Sequence, residues 1–298
     1  MALSSASRGP SPYPFLPHRS PRAPPQVGMP AEDSGGTLPP DPTWRERAPY
    51  SVRFLQPAKL SFRNHTFELE QSDGSGSVDA FDQVTCWPSG ELLARAMDHP
   101  SAPFSVRGRR VLELGSGTGV AGLMAAALGA VHVTLTDLPE VLPVTRRNAE
   151  RFVATHRGCA PVDVRPLDWE SDTVVSDEAP DVILAADVTV FVQLLPALEG
   201  TIHRLATPTT EVYIMHQRRG NDAQFLLDEF GRRFEVEEMA LPDDLRAGCC
   251  ALYRLQRGVE RGEGAAGDTL EERAASGDVR ALKAVSYTHL TLPTILLV

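Results

Sequence analysis

From residue 111 to residue 255 short runs rich in Val, Leu and Ile alternate with longer segments whose apolar positions recur every three or four residues. The runs at 111–114, 131–136, 162–166, 182–185 and 212–215 are too short for helices, and their β-branched and aliphatic content predicts buried strands. The segments at 120–128, 142–155, 193–205 and 223–230 carry helical spacing. Strand following helix in this way predicts a parallel sheet covered on both faces. Two last apolar segments, 234–239 and 249–255, are separated by little more than the turn region Pro242-Asp243-Asp244 and predict a terminal antiparallel pair. The expected domain is α/β, a doubly wound sheet of seven strands.

Ahead of this sheet, 52–55 and 66–70 alternate apolar with polar residues on either side of Asn64-His65, which predicts an N-terminal β-hairpin. A Gly/Ser loop at 73–77 then leads to Trp87-Pro88-Ser89, where Pro88 suits the first turn of a helix whose apolar face is Leu92, Leu93 and Ala96.

The ends differ in composition. Of 25 prolines, 12 fall before Tyr50, so residues 1–50 read as a disordered leader and 51–257 as the folded domain. Arg8, Arg19 and Arg22 precede the first acidic residue, Glu32, which fits either an organelle import signal or sequence upstream of a true start at Met29. Residues 258–267 form a Gly/Glu-rich linker. Residues 268–284, with Gly277-Asp278 at a turn, resemble the start of an ankyrin repeat, and 285–298 resemble the conceptual translation of a sequencing adapter.

A hydrophobic content of 42% over 298 residues is enough for a large core. The formal net charge of −10 argues against nucleic acid as a partner, because a phosphate backbone calls for a basic face. No apolar run approaches the roughly 20 residues of a membrane span, so no membrane partner is expected. Cys86, Cys159, Cys249 and Cys250 lack metal-ligand spacing and read as thiols in a reducing compartment. No metal site is expected.

The chemistry concentrates in Val111-Leu112-Glu113-Leu114-Gly115-Ser116-Gly117-Thr118-Gly119-Val120-Ala121-Gly122, a strand, a glycine turn and a helix start. Glycines there accommodate a left-handed backbone and let a ligand approach helix N–H groups closely. Gly117, Gly119 and Gly122 also spell the fingerprint of dinucleotide-binding proteins. Glu113 turns the choice, since a pyrophosphate disfavours a nearby carboxylate whereas an ammonium tolerates it. The E-x-G-x-G-x-G pattern is similar to the first motif of class I S-adenosylmethionine methyltransferases. Asp137, about twenty residues on at the end of the second strand, occupies the position of a ribose-binding carboxylate, the plainer alternative being a helix cap. Asp168-Trp169 after the third strand offers an acceptor and a flat ring for adenine, the plainer alternative being a Trp that closes the sheet edge. Asp187 after the fourth strand stands at the carboxyl end of the sheet, where ligands of open α/β folds bind, or caps the next helix.

Trp87-Pro88-Ser89, residues 111–119, Thr134-Leu135-Thr136-Asp137-Leu138, Leu167-Asp168-Trp169, Leu184-Ala185-Ala186-Asp187 and His216-Gln217-Arg218-Arg219 together resemble protein-lysine methyltransferase family 16 over roughly residues 52–256. The resemblance implies a Rossmann-like class I methyltransferase fold, S-adenosyl-L-methionine as cofactor and a lysine of a protein substrate as acceptor. The cofactor-binding set is then Trp87, Glu113, Gly115, Ser116, Gly117, Gly119, Asp137, Leu138, Asp168, Trp169 and Ala186, with Asp187 catalytic. One position departs from the family. Val190 stands where its Asp-x-x-Tyr signature has tyrosine, with Phe191 beside it. A methyltransferase for a small molecule or another protein atom, or a non-catalytic cofactor-binding scaffold, are the alternatives. A cytoplasmic protein is expected, or an imported one if the leader is a targeting signal, and the ankyrin-like stretch implies a further partner for a longer chain.

Overall fold

A computed structural model describes residues 57–73, 83–171, 178–190, 192–218, 222–246 and 249–257. The leader, the linker, the ankyrin-like and adapter-like stretches, residues 52–55 and most of the 73–77 loop lie outside these, as do Phe191 and Arg219.

The chain enters through a hairpin of β1 (Ala58–Ser61) and β2 (Thr66–Leu69), followed by the short strands β3 (Ser72–Asp73) and β4 (Gln83–Val84) and then helix α1 (Pro88–Asp98). The partner of Thr66–Leu69 is therefore Ala58–Ser61, not the 52–55 segment expected from alternation. The Phe62 N–H donates to the His65 carbonyl at 2.8 Å, and this tight turn sets Leu60 opposite Phe67, both buried. A connection from residue 55 would close a longer loop and forgo that pairing.

The main body alternates as the apolar pattern predicts: β5 (Arg110–Leu114), α2 (Val120–Ala127), β6 (His132–Asp137), α3 (Leu142–Thr155), β7 (Val162–Pro166), β8 (Val182–Ala186), α4 (Leu195–Leu205), β9 (Glu211–Gln217), α5 (Asp222–Phe230), β10 (Phe234–Met239) and β11 (Cys250–Arg257). Seven strands form one sheet in the order β10-β11-β9-β8-β5-β6-β7. The five from β9 to β7 run parallel, and β11 lies antiparallel between β9 and β10.

Side chains of period two divide between the faces. Val111, Val133, Leu135, Val182, Leu184, Tyr213 and Met215 pack in one core with α1, α2, α3 and the hairpin. Leu112, Leu114, Ile183, Ala185, Val212 and Ile214 pack in a second with α4 and α5. Each fully buried aliphatic side chain contributes about 1.5–3 kcal/mol, so both layers hold the sheet flat against its helices. Pro88 occupies the first turn of α1, where a missing N–H costs nothing. The long run between residues 111 and 255 lays the carboxyl ends of β5, β6, β8 and β9 along one rim.

The third glycine of the fingerprint is a packing residue. A Cβ on Gly122 would lie 2.2 Å from Leu135 Cδ2 and 2.7 Å from Glu113 Oε2, so α2 sits on the sheet as closely as a bare backbone allows. Gly122→Ala should cost about 1–3 kcal/mol by overpacking, read as a lower denaturant midpoint. An unchanged midpoint would mean that Leu135 and Glu113 give way freely.

Candidate active site

The turn from β5 into α2 carries Gly115, Gly117 and Gly119 at φ 59°, 50° and 82°. All three are left-handed, a conformation that a Cβ disfavours, which is why the sequence needs glycine at each. Backbone bonds tie the turn to its neighbour strand: Ser116 N–H donates to the Thr136 carbonyl at 2.9 Å, and Gly119 N–H to the Ser116 carbonyl at 2.6 Å. Asp137 closes it. One carboxylate oxygen accepts the Gly117 N–H at 2.8 Å and the other accepts the Leu138 N–H at 2.8 Å. Sequence placed Asp137 and the glycines together, and the structure brings them into contact.

Helix α3 supports the same turn from the side. Thr145 Oγ1 donates to the Gly117 carbonyl at 2.7 Å. Asn148 Nδ2 donates to the carbonyls of Thr118 (3.1 Å) and Glu70 (3.0 Å), while its Oδ1 accepts the Glu70 N–H at 2.7 Å. Asn148 thus joins the glycine turn to the N-terminal extension. A second tie comes from Gln71, whose Oε1 accepts from Thr85 Oγ1 (2.8 Å) and Cys86 N–H (2.9 Å) and so anchors the strap that leads to Trp87. Sequence reasoning missed Thr145, Asn148 and Gln71. The signal for the first two was two polar residues on the stripe Leu142, Thr145, Asn148 and Phe152, all of them buried.

The strap crosses the turn. The Thr85 carbonyl lies 4.0 Å from where a Cβ of Gly117 would be, and a Cβ on Gly90 would approach Val120 Cγ1 at 3.0 Å and Ala186 Cβ at 4.0 Å. Trp87, half-buried, caps α1 immediately beside this contact. Trp169 comes from the loop after β7, its ring 3.4 Å from the Cβ position of Gly115, and Val188 Cγ1 reaches the same position at 2.8 Å. Gly115, Ser116, Gly117, Gly119, Asp137, Leu138 and Trp169 are therefore assembled around one turn, with Trp87 at the start of α1 and Ala186 at the end of β8 on the elements beside it. The Ser116 hydroxyl is buried there without a hydrogen-bond partner, a polar group that a ligand would satisfy.

Glu113 and Asp168, the other two residues of the expected set, have protein partners of their own. Glu113 lies beneath the turn, on the side of the sheet that α2 covers, and its Oε2 accepts the Gly122 N–H at 2.8 Å. The two-residue period of β5 sends position 113 to the same face as Val111, away from the turn's open side. Asp168 is exposed, and its Oδ1 accepts the Glu170 N–H at 3.0 Å in a turn of its own.

Asp187 ends β8 and is, among the described residues, the non-glycine residue with positive φ, 61°. Aspartate tolerates this conformation better than most residues. Its N–H donates to the Met215 carbonyl at 3.1 Å, and its side chain is buried. It directly precedes the single helical turn Val188–Val190, while the N-cap of the longer helix α4 is Leu194, seven residues on.

Burial dominates the electrostatics. Desolvation pushes the Glu113 carboxyl up to about 8 against the stabilising Gly122 N–H, with the Asp137 charge adding to the rise. Desolvation also raises Asp137, to about 6, partly offset by the N–H groups of Gly117 and Leu138. At neutral pH the turn therefore carries a neutral Glu113 below and an ionised Asp137 at its mouth. No group of three or more His, Cys, Asp or Glu fit to hold a metal ion occurs among the described residues.

A family model described as lysine methyltransferase matches residues 62–230, more than half the chain. The chain belongs to this family. The methyltransferase is 31% identical over 183 residues to Protein N-lysine methyltransferase METTL21A of Danio rerio, covering 61% of this chain and 80% of that protein. With EEF1A lysine methyltransferase 3 of Xenopus tropicalis it shares 34% identity over 133 residues, 45% of this chain and 57% of the relative. With Calmodulin-lysine N-methyltransferase of Arabidopsis thaliana it shares 34% over 158 residues, 51% of each chain. All three relatives are named for methylation of lysine.

The raised pKa of Glu113 makes stability depend on pH. The folded protein holds this proton more tightly than the unfolded chain, so the contribution is complete below the ordinary value of about 4.5 and is lost as pH rises through about 8. Glu113→Gln keeps an acceptor for Gly122 N–H and removes the titration. Melting temperatures from pH 5 to pH 8.5 should fall less steeply in the variant than in the wild type, and parallel slopes would show that Glu113 titrates normally.

Proposed function

We propose that the glycine turn and Asp137 hold S-adenosylmethionine, and that the enzyme methylates the side-chain amine of a lysine in a protein substrate. The observation that carries the cofactor assignment is the left-handed turn with the Asp137 carboxylate at its mouth and the unpartnered Ser116 hydroxyl inside it. When bound, S-adenosylmethionine supplies a methyl group activated on a sulfonium.

Asp137 accepts the ribose hydroxyls, as a carboxylate at the end of the second strand of a doubly wound sheet does. Leu138 and the ring of Trp169 enclose the adenine, with Asp168 as acceptor for its amino group. Gly115, Ser116, Gly117 and Gly119 with the first N–H groups of α2 receive the amino-acid end, and Trp87 and Ala186 wall the cleft opposite. Glu113 acts through the turn, as a neutral prop beneath it.

Asp187 serves the acceptor. A lysine amine with pKa about 10.4 is neutral in roughly one molecule per thousand near pH 7.4, so its proton must pass to water before attack. The Asp187 side chain orients the amine and stabilises the positive charge that develops on nitrogen, an interaction stronger in the transition state than before it. The relatives named above are lysine methyltransferases whose names specify proteins as substrates, which supports a protein acceptor.

Calorimetric titration with S-adenosylhomocysteine tests the cofactor site. Saturable binding is expected, and none at millimolar ligand would overturn the reading. Asp137→Ala should weaken binding, since each hydrogen bond to a charged group is worth about 1.5–3 kcal/mol. Because hydroxyl donors favour the ionised form, affinity should be full above about pH 6 and fall below it, with proton release on binding near that pH. A pH-independent affinity in the wild type would show that Asp137 makes no such contact. Transfer of labelled methyl into a lysate, with mass spectrometry of the modified residue, identifies the acceptor: lysine is expected, and any other atom would refute that part.

A further inference from the structure

Thr189 Oγ1 and His216 Nδ1 lie 2.6 Å apart, and the two residues are 2% and 0% exposed. They belong to different elements. Thr189 sits in the single helical turn Val188–Val190 that follows Asp187, and His216 is the penultimate residue of β9. The residue before His216, Met215, supplies the carbonyl that accepts the Asp187 N–H. Two consecutive residues of β9 therefore grip this turn, one by its backbone and one by its side chain.

The grip falls on a residue that needs one. Asp187 holds a left-handed backbone that an L-residue adopts at a cost, and such a conformation persists only where its surroundings over-determine it. Burial does not account for the pair, because a hydroxyl and an imidazole inside an apolar sheet cost desolvation that two aliphatic side chains would not. Strand β9 is also a firm anchor, hydrogen-bonded to β8 on one side and β11 on the other. Val190, half-buried in the same turn, has no polar atom in its side chain with which to do this work.

We infer that Thr189 and His216 are positioning residues, a buried hydrogen-bonded pair that fixes the left-handed turn at Asp187 and thereby aims its carboxylate at the acceptor amine. The inference rests on the acceptor role of Asp187 given above. Misplacement of a charged group by about an ångström is enough to cost a large part of its effect, so the pair should matter to what Asp187 does while leaving the cofactor's adenosyl contacts alone.

The test needs no methyl acceptor. Sinefungin is an S-adenosylmethionine analogue that carries a primary amine, protonated near neutral pH, in place of the transferred methyl, and S-adenosylhomocysteine carries nothing there. The ratio of their dissociation constants, measured by calorimetry, reports whether a carboxylate faces that amine. The wild type should prefer sinefungin, and Asp187→Asn should abolish the preference. Thr189→Val should lose at least about fivefold of it, as should Thr189→Val with His216→Leu, a combination that removes both members of the pair. Both should bind S-adenosylhomocysteine within about twofold of the wild type, and Thr189→Ser, which restores the hydroxyl, should recover the preference. A full preference in either Val variant, or an equal loss of affinity for both ligands, would overturn the inference. Failure of the wild type to bind S-adenosylhomocysteine would instead sink the cofactor site. Absence of a sinefungin preference in the wild type, or its survival in Asp187→Asn, would sink the role of Asp187 and this inference with it.

Discussion

The hydrogen bond from the Gly117 N–H to the Asp137 carboxylate is the interaction on which the rest of the site depends. Three left-handed glycines in five residues have little conformational preference of their own, and an unrestrained turn of that composition would sample many shapes. A carboxylate at the end of the adjacent parallel strand fixes it. The register of β5 against β6, with Leu114 opposite Thr136, delivers Asp137 to this point, so the sheet and the turn are set by the same pairing. Two N–H donors recover part of the desolvation cost of Asp137. They offset part of the rise that burial imposes on its pKa, which stands at about 6.

Support for the turn is layered outward from that bond. Thr145 and Asn148 satisfy carbonyls of the turn that α2 leaves unmatched, and Asn148 carries the connection on to Glu70 in the N-terminal extension. Arg147 pairs with Glu70 at 2.7 Å beside it, but this pair is half in solvent and contributes little. Gln71 continues the chain of contacts to the strap before α1. The extension is thereby part of the site's frame, not an ornament on the sheet. Its aromatic residues lock it down: Phe67 meets Phe152 of α3 edge-on at 5.2 Å between ring centres.

The rim at Asp187 is built by different means. There the backbone itself is strained, at Asp187, and the neighbouring strand restrains it with a carbonyl and an imidazole. Insertion of β11 between β9 and β10 makes β9 an internal strand, which stiffens the restraint. A lysine methyltransferase has little covalent chemistry of its own to perform once a methyl donor and an amine are aligned, and a rigid rim suits that task. The segments after β7 and β8 meet at Gly115, where Trp169 from one and Val188 from the other converge on the space a side chain would fill.

Much of this was legible in the chain. Periodicity alone located the seven strands and the helices between them, most plainly at β5, β8 and β9, where burial on both faces leaves a run of aliphatic residues, and less so at the half-exposed edge strands β7 and β10. The glycine spacing located the turn, and the interval to Asp137 located its partner, since both follow from local backbone geometry and the length of one strand–helix–strand unit. Tertiary structure alone decided the rest. Glu113 reads from sequence as a ligand contact, yet the pleat of β5 turns it beneath α2. The hairpin partner was misplaced at 52–55 because alternation marks strands without marking which segment a tight turn will bring back. The partners of Asn148, Gln71 and Thr189 were not legible, as each contact bridges residues 14 to 78 positions apart. Local pattern specifies elements and the groups at their ends; which polar side chains inside the fold find one another is set only when the packed elements fix the distances between them.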